Sequence, residues 1–78
     1  MKKTRHSTKY RRLIAELKQI RKKAGMTQTE VAKKFSTHAS FVSKCESGER
    51  RIDVIELAKF CRIYRVKLVD FLESLDID

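Results

Sequence analysis

The chain has 78 residues, a formal net charge of +9, 41% apolar residues, no proline and two glycines. That length holds one domain around one small core, and a composition so poor in turn residues suits packed helices rather than hairpins. No run nears the roughly 18 apolar residues of a membrane span.

The basic N-terminus has no apolar stretch of the kind a signal peptide needs, so a cytoplasmic location is expected. Charge is uneven along the chain. Residues 1–34 carry 12 Lys/Arg against Glu16 and Glu30, a net +10, whereas residues 35–78 carry 7 Lys/Arg against 8 Asp/Glu, a net −1. A basic front on a near-neutral back suits approach to a polyanion from one side, although cations that merely solubilise a first helix produce the same pattern.

Met1–Ser7 (MKKTRHS) has three cationic residues and no apolar pattern after Met1. It reads as a basic flexible arm, residues 1–7, ahead of a single domain over residues 8–78. Such an arm can follow a phosphate backbone or enter a minor groove; a plain disordered tail has the same composition. A first helix is expected from about Thr8 to Ala24. Leu13, Ile14, Leu17, Ile20 and Ala24 recur at helical spacing, and Gly25 ends it. The opposite face carries Arg11, Arg12, Lys18 and Lys22, while Arg21 falls beside Ile20 and Leu17, near the apolar seam.

The stretch Thr27–Arg50 organises the rest. Thr27 with Glu30 three positions on is a capping-box pattern, which starts a second helix at Gln28. Val31, Ala32 and Phe35 form its apolar face. Ser36-Thr37-His38-Ala39 is a break, since Ser and Thr compete locally for backbone hydrogen bonds. A third helix follows over about Ala39–Ser47, with Val42 and Cys45 inward and Gly48 as its left-handed stop. Ala39, Ser40, Ser43 and Lys44 are left facing outward. Two short helices joined by such a turn, the second with a polar outer face, form a helix-turn-helix, which implies DNA binding.

Arg50 and Arg51, straight after that helix, are placed to hold flanking phosphates. A fourth helix should start after Asp53, with Glu56 completing a second capping box, and run to about Tyr64. Its core residues are expected to be Ile55, Leu57, Ala58, Cys61 and Ile63. A fifth, about Leu68–Leu75, offers Leu68, Phe71, Leu72 and Leu75. These nine apolar positions exceed what a small bundle must bury within itself. The surplus predicts a homodimer surface made from the fifth helix and the loop around Ile52, with Phe71, Leu72 and Leu75 as contact residues. The acidic end, with Asp70, Glu73, Asp76 and Asp78, has the wrong sign for DNA and should point away from it.

Cys45 and Cys61 lie on inward faces and read as buried thiols acting as small apolar residues. His6 and His38 do not join them at a zinc-ligand spacing. No nucleophile–base set, carboxylate pair or glycine-rich phosphate loop stands in a context that supports catalysis. An enzyme is therefore not expected, nor a metal or cofactor.

The pattern from Leu17 to Leu72, and above all SFVSKCESGERRIDVIEL over Ser40–Leu57, resembles the Xre/Cro-repressor-like helix-turn-helix family, which includes lambdoid phage repressors and restriction–modification controller proteins. The resemblance implies an all-α, five-helix domain whose third helix enters the major groove. It implies a shielded ion pair between Arg21 and Glu46. It places Gln28 on the DNA backbone and His38, Ala39, Ser40 and Lys44 at base-reading positions. Phe41 joins these as an aromatic that either meets a sugar or thymine methyl or packs on the second helix. Lys22, Thr27, Gln28, Ser43, Arg50 and Arg51 are the expected phosphate contacts. Three departures stand out: the family usually has Gly at Ser36, often Gly at Arg65, and often Gln at Ala39. The function expected is a homodimeric, sequence-specific transcriptional regulator on a palindromic operator. The alternatives are an antitoxin that represses its own operon, with a protein partner, and an interaction module with a degenerate helix-turn-helix.

Overall fold

In residues 7–76, which the computed structural model describes, the chain forms five helices and no strand. They are α1 (Thr8–Lys23), α2 (Gln28–Phe35), α3 (Ala39–Ser47), α4 (Val54–Ile63) and α5 (Leu68–Ser74). Three begin on side-chain caps. Ser7, the last residue of the arm expected over residues 1–7, accepts from the Tyr10 N–H at 3.1 Å and so caps α1. The rest of that arm, Met1–His6, lies outside the described residues. Both expected capping boxes form, Thr27 with Glu30 and Asp53 with Glu56, each satisfying two N–H groups that a bare helix start leaves unpaired.

Three helices also end by one device. After α1, α2 and α4 a left-handed residue lets the next N–H reach back five positions. Met26 donates to Arg21 O at 3.2 Å, Thr37 to Ala32 O at 2.9 Å and Val66 to Cys61 O at 2.9 Å. The left-handed residues are Gly25 (φ 73°), Ser36 (φ 68°) and Arg65 (φ 63°). Two of the departures from the family pattern, Ser36 and Arg65, therefore fall where a side chain is strained and glycine is not. At α2 the exposed carbonyl end gains a further partner, since Lys59 Nζ donates to Phe35 O at 3.2 Å and lies 4.6 Å from the centre of the Phe35 ring.

The core joins Leu17 of α1, Val31 and Ala32 of α2, Val42 and Cys45 of α3, Leu57, Phe60 and Cys61 of α4, Tyr64 just after it, and Phe71 and Leu75. On α4 this differs from the expected face. Leu57, Phe60, Cys61 and Tyr64 follow the spacing i, i+3, i+4, i+7 and are all buried, whereas Ile55 is 74% exposed. Along α5 the difference bears on assembly. Phe71 and Leu75, expected to face a partner, are spent on the chain's own core, and Leu72 stays half-buried. Leu68 and Leu72 pack against the same core from partly buried positions.

Candidate nucleic-acid interface

α2 and α3 pack directly on one another, and α1 crosses against α3. What sets their relative orientation is a polar cluster at the junction. Arg21 Nε donates to Glu46 Oε2 at 2.6 Å and Nη2 to Glu46 Oε1 at 3.1 Å, a two-point pairing from α1 to α3. Arg21 Nη1 donates to the Met26 carbonyl at 2.8 Å, and Gln28 Nε2 donates to Glu46 Oε1 at 2.9 Å. Side-chain exposure is 10% for Arg21 and 5% for Glu46, so the shielded pair exists as the resemblance implied. The hydrogen bond to Glu46 raises the Arg21 pKa above its already high ordinary value, which keeps the charge permanent. Gln28 is thereby tied to the same carboxylate. Its amide NH2 has a second N–H to offer, at the N-terminal end of α2 where the backbone dipole favours anions.

On α3 the outward face is polar. Ser40, Ser43 and Lys44 are exposed, Ala39 is half-buried, and His38, the N-cap residue, is exposed without a side-chain capping bond. Thr27 and Lys22 are exposed, at the start of α2 and near the end of α1. Phe41 is placed otherwise. Its ring lies 5.0 Å from Phe35 and 6.1 Å from Phe60, nearly parallel to the latter, with the Arg50 guanidinium 4.7 Å above it. Of the two readings for Phe41, the ring adopts packing against α2, and it stays half-buried.

Arg50 is also committed within the chain. Nη1 and Nη2 donate to Glu56 Oε1 and Oε2 at 2.9 and 3.0 Å, and Nη1 donates to the Arg51 carbonyl at 2.9 Å. The Arg50 bond pulls the Glu56 carboxyl below its ordinary range. Arg50 thus closes the α3–α4 loop onto α4, and its expected role on phosphate would have to compete with Glu56. Arg51 differs: its guanidinium lies 4.5 Å from the centre of the Tyr10 ring at the exposed start of α1.

The helix-turn-helix family profile matches residues 17–71, from the middle of α1 to the core phenylalanine of α5. This chain is a member of the Xre/Cro-like helix-turn-helix family. Among solved structures it is similar to an XRE-family like protein from Pseudomonas syringae pv. tomato str. DC3000, at 41% identity and TM-score 0.84, covering 87% of this chain and 83% of that one. It shares its fold, at 23% identity and TM-score 0.78 over 95% of each chain, with the clp gene regulator ClgR from C. glutamicum. A comparison with curated protein sequences finds no match. Family membership makes this chain a DNA-binding transcription regulator.

In this Xre-family protein, burial pushes both thiols up to about 11, Cys45 beneath the outward face of α3 and Cys61 in α4. Such thiols are inert packing groups. Among the described residues no three His, Cys, Asp or Glu side chains are grouped to hold a metal ion, and no helix is long and apolar enough to cross a membrane. Tyr10 and Glu56 are the contributors to the interface that sequence reasoning missed. Glu56 was visible as a cap residue, and its second use on Arg50 had no local signal. Tyr10 reaches Ile52 across 42 positions, a distance no periodicity reports.

Proposed function

We propose that the chain represses or activates transcription as a homodimer on a pseudo-palindromic operator, with α3 of each protomer in the major groove. The observation that carries this is the polar face of α3, Ser40, Ser43 and Lys44, presented outward while Glu46 on the same helix is locked to Arg21 and Gln28. Lys44 supplies a donor for guanine O6 and N7, and Ser40 donates or accepts; Ala39 offers only a methyl for thymine. His38 stands at the entry of the helix. Lys22, Thr27, Gln28, Ser43 and Arg51 flank this face as phosphate contacts, which position the protein without reading sequence.

One helix reads few base pairs, so specificity calls for two. The dimer surface fits the exposed apolar side chains better than those first expected. Ile55 is 74% and Val69 57% exposed, and Ile52, in the loop before α4, and Leu72 are half-buried. A second copy covering them sets two α3 helices about 34 Å apart, with half-sites centred about 10 base pairs apart.

Salt titration tests both points. Lys22 and Arg51 on each of two protomers neutralise about four phosphates, so the log–log slope of affinity against salt should be about −4. A slope shallower than about −3, with sedimentation showing a monomer on saturated DNA, overturns the dimer. Lys44→Ala should cost the specific site about 1–3 kcal/mol and relax its preference, while Arg51→Ala should weaken all sequences alike.

A further inference from the structure

A cleft of about 520 Å³ opens where the turn after α1, one side of α2 and the turn after α4 meet. That volume lies in the range of small-molecule sites. Both turns are pinned. At the first, Met26 N–H donates to Arg21 O at 3.2 Å, and the Met26 carbonyl accepts from Arg21 Nη1 at 2.8 Å. At the second, Arg65 N–H donates to Arg62 O at 3.1 Å and Val66 N–H to Cys61 O at 2.9 Å. The walls therefore stand in the free chain, and an occupant has little ordering to impose on them.

The apolar part of the lining is half-buried Met26 and Ile63 with buried Tyr64. Lys34, Arg65 and Glu30 supply the charge, two cations against one carboxylate, a net +1. Glu30 is engaged in the capping box, where it accepts from the Thr27 N–H at 2.8 Å. Lys34 and Arg65 are exposed, and among the described residues neither side chain has a hydrogen-bond or ion-pair partner. Position 65 carries the most information. Arg65 holds φ at 63°, a conformation costly to a side chain and open to glycine, which the family often has there. Strain kept where glycine would remove it signals a use for the side chain. Here that side chain brings a guanidinium to an apolar cleft that already holds Lys34.

We propose that this cleft binds a small organic monoanion, a carboxylate on an aromatic or branched apolar body. Lys34 and Arg65 take the carboxylate, the guanidinium offering it two parallel N–H donors, and Met26, Ile63 and the Tyr64 ring take the body. A lining of net +1 matches a single negative charge, whereas a polyanion would also meet Glu30.

The test is a titration of the full chain, labelled with 15N, with phenylacetate at constant ionic strength, followed through amide shifts. Saturable shifts are expected at Gly25, Met26, Tyr64 and Arg65. Acetate, which lacks the body, and benzyl alcohol, which lacks the charge, should each bind more weakly. Arg65→Gly separates a binding role from a structural one. It should melt higher than the parent while holding phenylacetate about three- to tenfold more weakly, the loss of one charged hydrogen-bonding partner at an exposed site. Lys34→Gln should weaken binding by a similar factor. Unchanged affinity in both variants overturns the proposal, as does a titration with no saturable shift. Shifts spread along the cationic side of α1, or acetate binding as tightly as phenylacetate, show general attraction of anions and also overturn it. Benzyl alcohol binding as tightly removes the recognition of charge, with the same result. Arg65→Gly that weakens binding to a random duplex but not to phenylacetate assigns the side chain to DNA instead.

Discussion

Removing Glu46 while leaving Arg21 should be among the most damaging polar substitutions in this protein. Glu46→Ala deletes the acceptor of three hydrogen bonds, from Arg21 Nε, Arg21 Nη2 and Gln28 Nε2. The guanidinium is left with side-chain exposure of 10% in the parent structure and one remaining partner, the Met26 carbonyl. A buried ion pair contributes little net stability relative to well-packed apolar residues, because desolvation offsets most of the attraction. Stranding one member, however, costs about 3–5 kcal/mol. The slight exposure of Arg21 and its carbonyl partner argue for the lower end, about 3 kcal/mol. For a domain of this length total stability is about 4–12 kcal/mol, and each kcal/mol moves the melting temperature by about 4–8 °C. Far-UV circular dichroism melts of Glu46→Ala should therefore fall by about 12 °C or more. Arg21→Met should cost less, since Gln28 still donates to the stranded carboxylate. Joining Arg21→Met to Glu46→Leu should recover most of the loss. If both single variants melt within about 1 kcal/mol of the parent, the pair behaves as a solvent-exposed one and the account of how α1 orients α3 fails.

The left-handed turns make a second prediction. Ser36→Gly and Arg65→Gly should each raise stability by about 0.5–1 kcal/mol, relief of backbone strain outweighing the extra freedom of glycine in the unfolded chain. Gly25→Ala should lower it by about 1 kcal/mol through conformation alone, because a Cβ there meets nothing within 4 Å. Urea midpoints at unchanged slope measure all three, and a destabilised Ser36→Gly would refute the reasoning. For Glu56 the sign runs toward acid. Its folded pKa lies below the ordinary 4.5 because of Arg50, so its contribution is complete above that value and lost as pH falls through the depressed one. The stability gap between the parent and Glu56→Gln should accordingly be flat near neutrality and close below about pH 4.5; a gap that persists to acid unfolding contradicts it. Finally, Cys45 and Cys61, held near 11, should resist thiol reagents at pH 8 in the folded state and react together on unfolding. Rapid labelling of native Cys45 would show the thiol to be accessible.

The helices of this protein were legible because their boundaries are set within four residues. Thr27 and Glu30, Asp53 and Glu56, and Gly25 and Gly48 state where a helix starts or stops without reference to the rest of the fold. The core face of α4 was also present in the sequence, as the spacing Leu57, Phe60, Cys61, Tyr64, although Ile55 and Ile63 competed with it on hydrophobicity. Arg21 and Glu46 came from the family resemblance, and the geometry agrees with it.

Tertiary structure decided which way the ambiguous side chains turn. Nothing local distinguishes an α5 whose Phe71 and Leu75 face a partner from one whose Phe71 and Leu75 fill its own core; the choice depends on what α4 leaves unfilled. Phe41 packs among Phe35, Phe60 and Arg50, neighbours that no local pattern names. Arg50 and Arg51 are adjacent and chemically identical, yet one is clamped by Glu56 and the other laid on Tyr10. Capping and periodicity act through neighbours along the chain, so sequence carries them; a cation's partner is set by which surfaces the packed core brings within a few ångströms, and only the folded chain makes that choice.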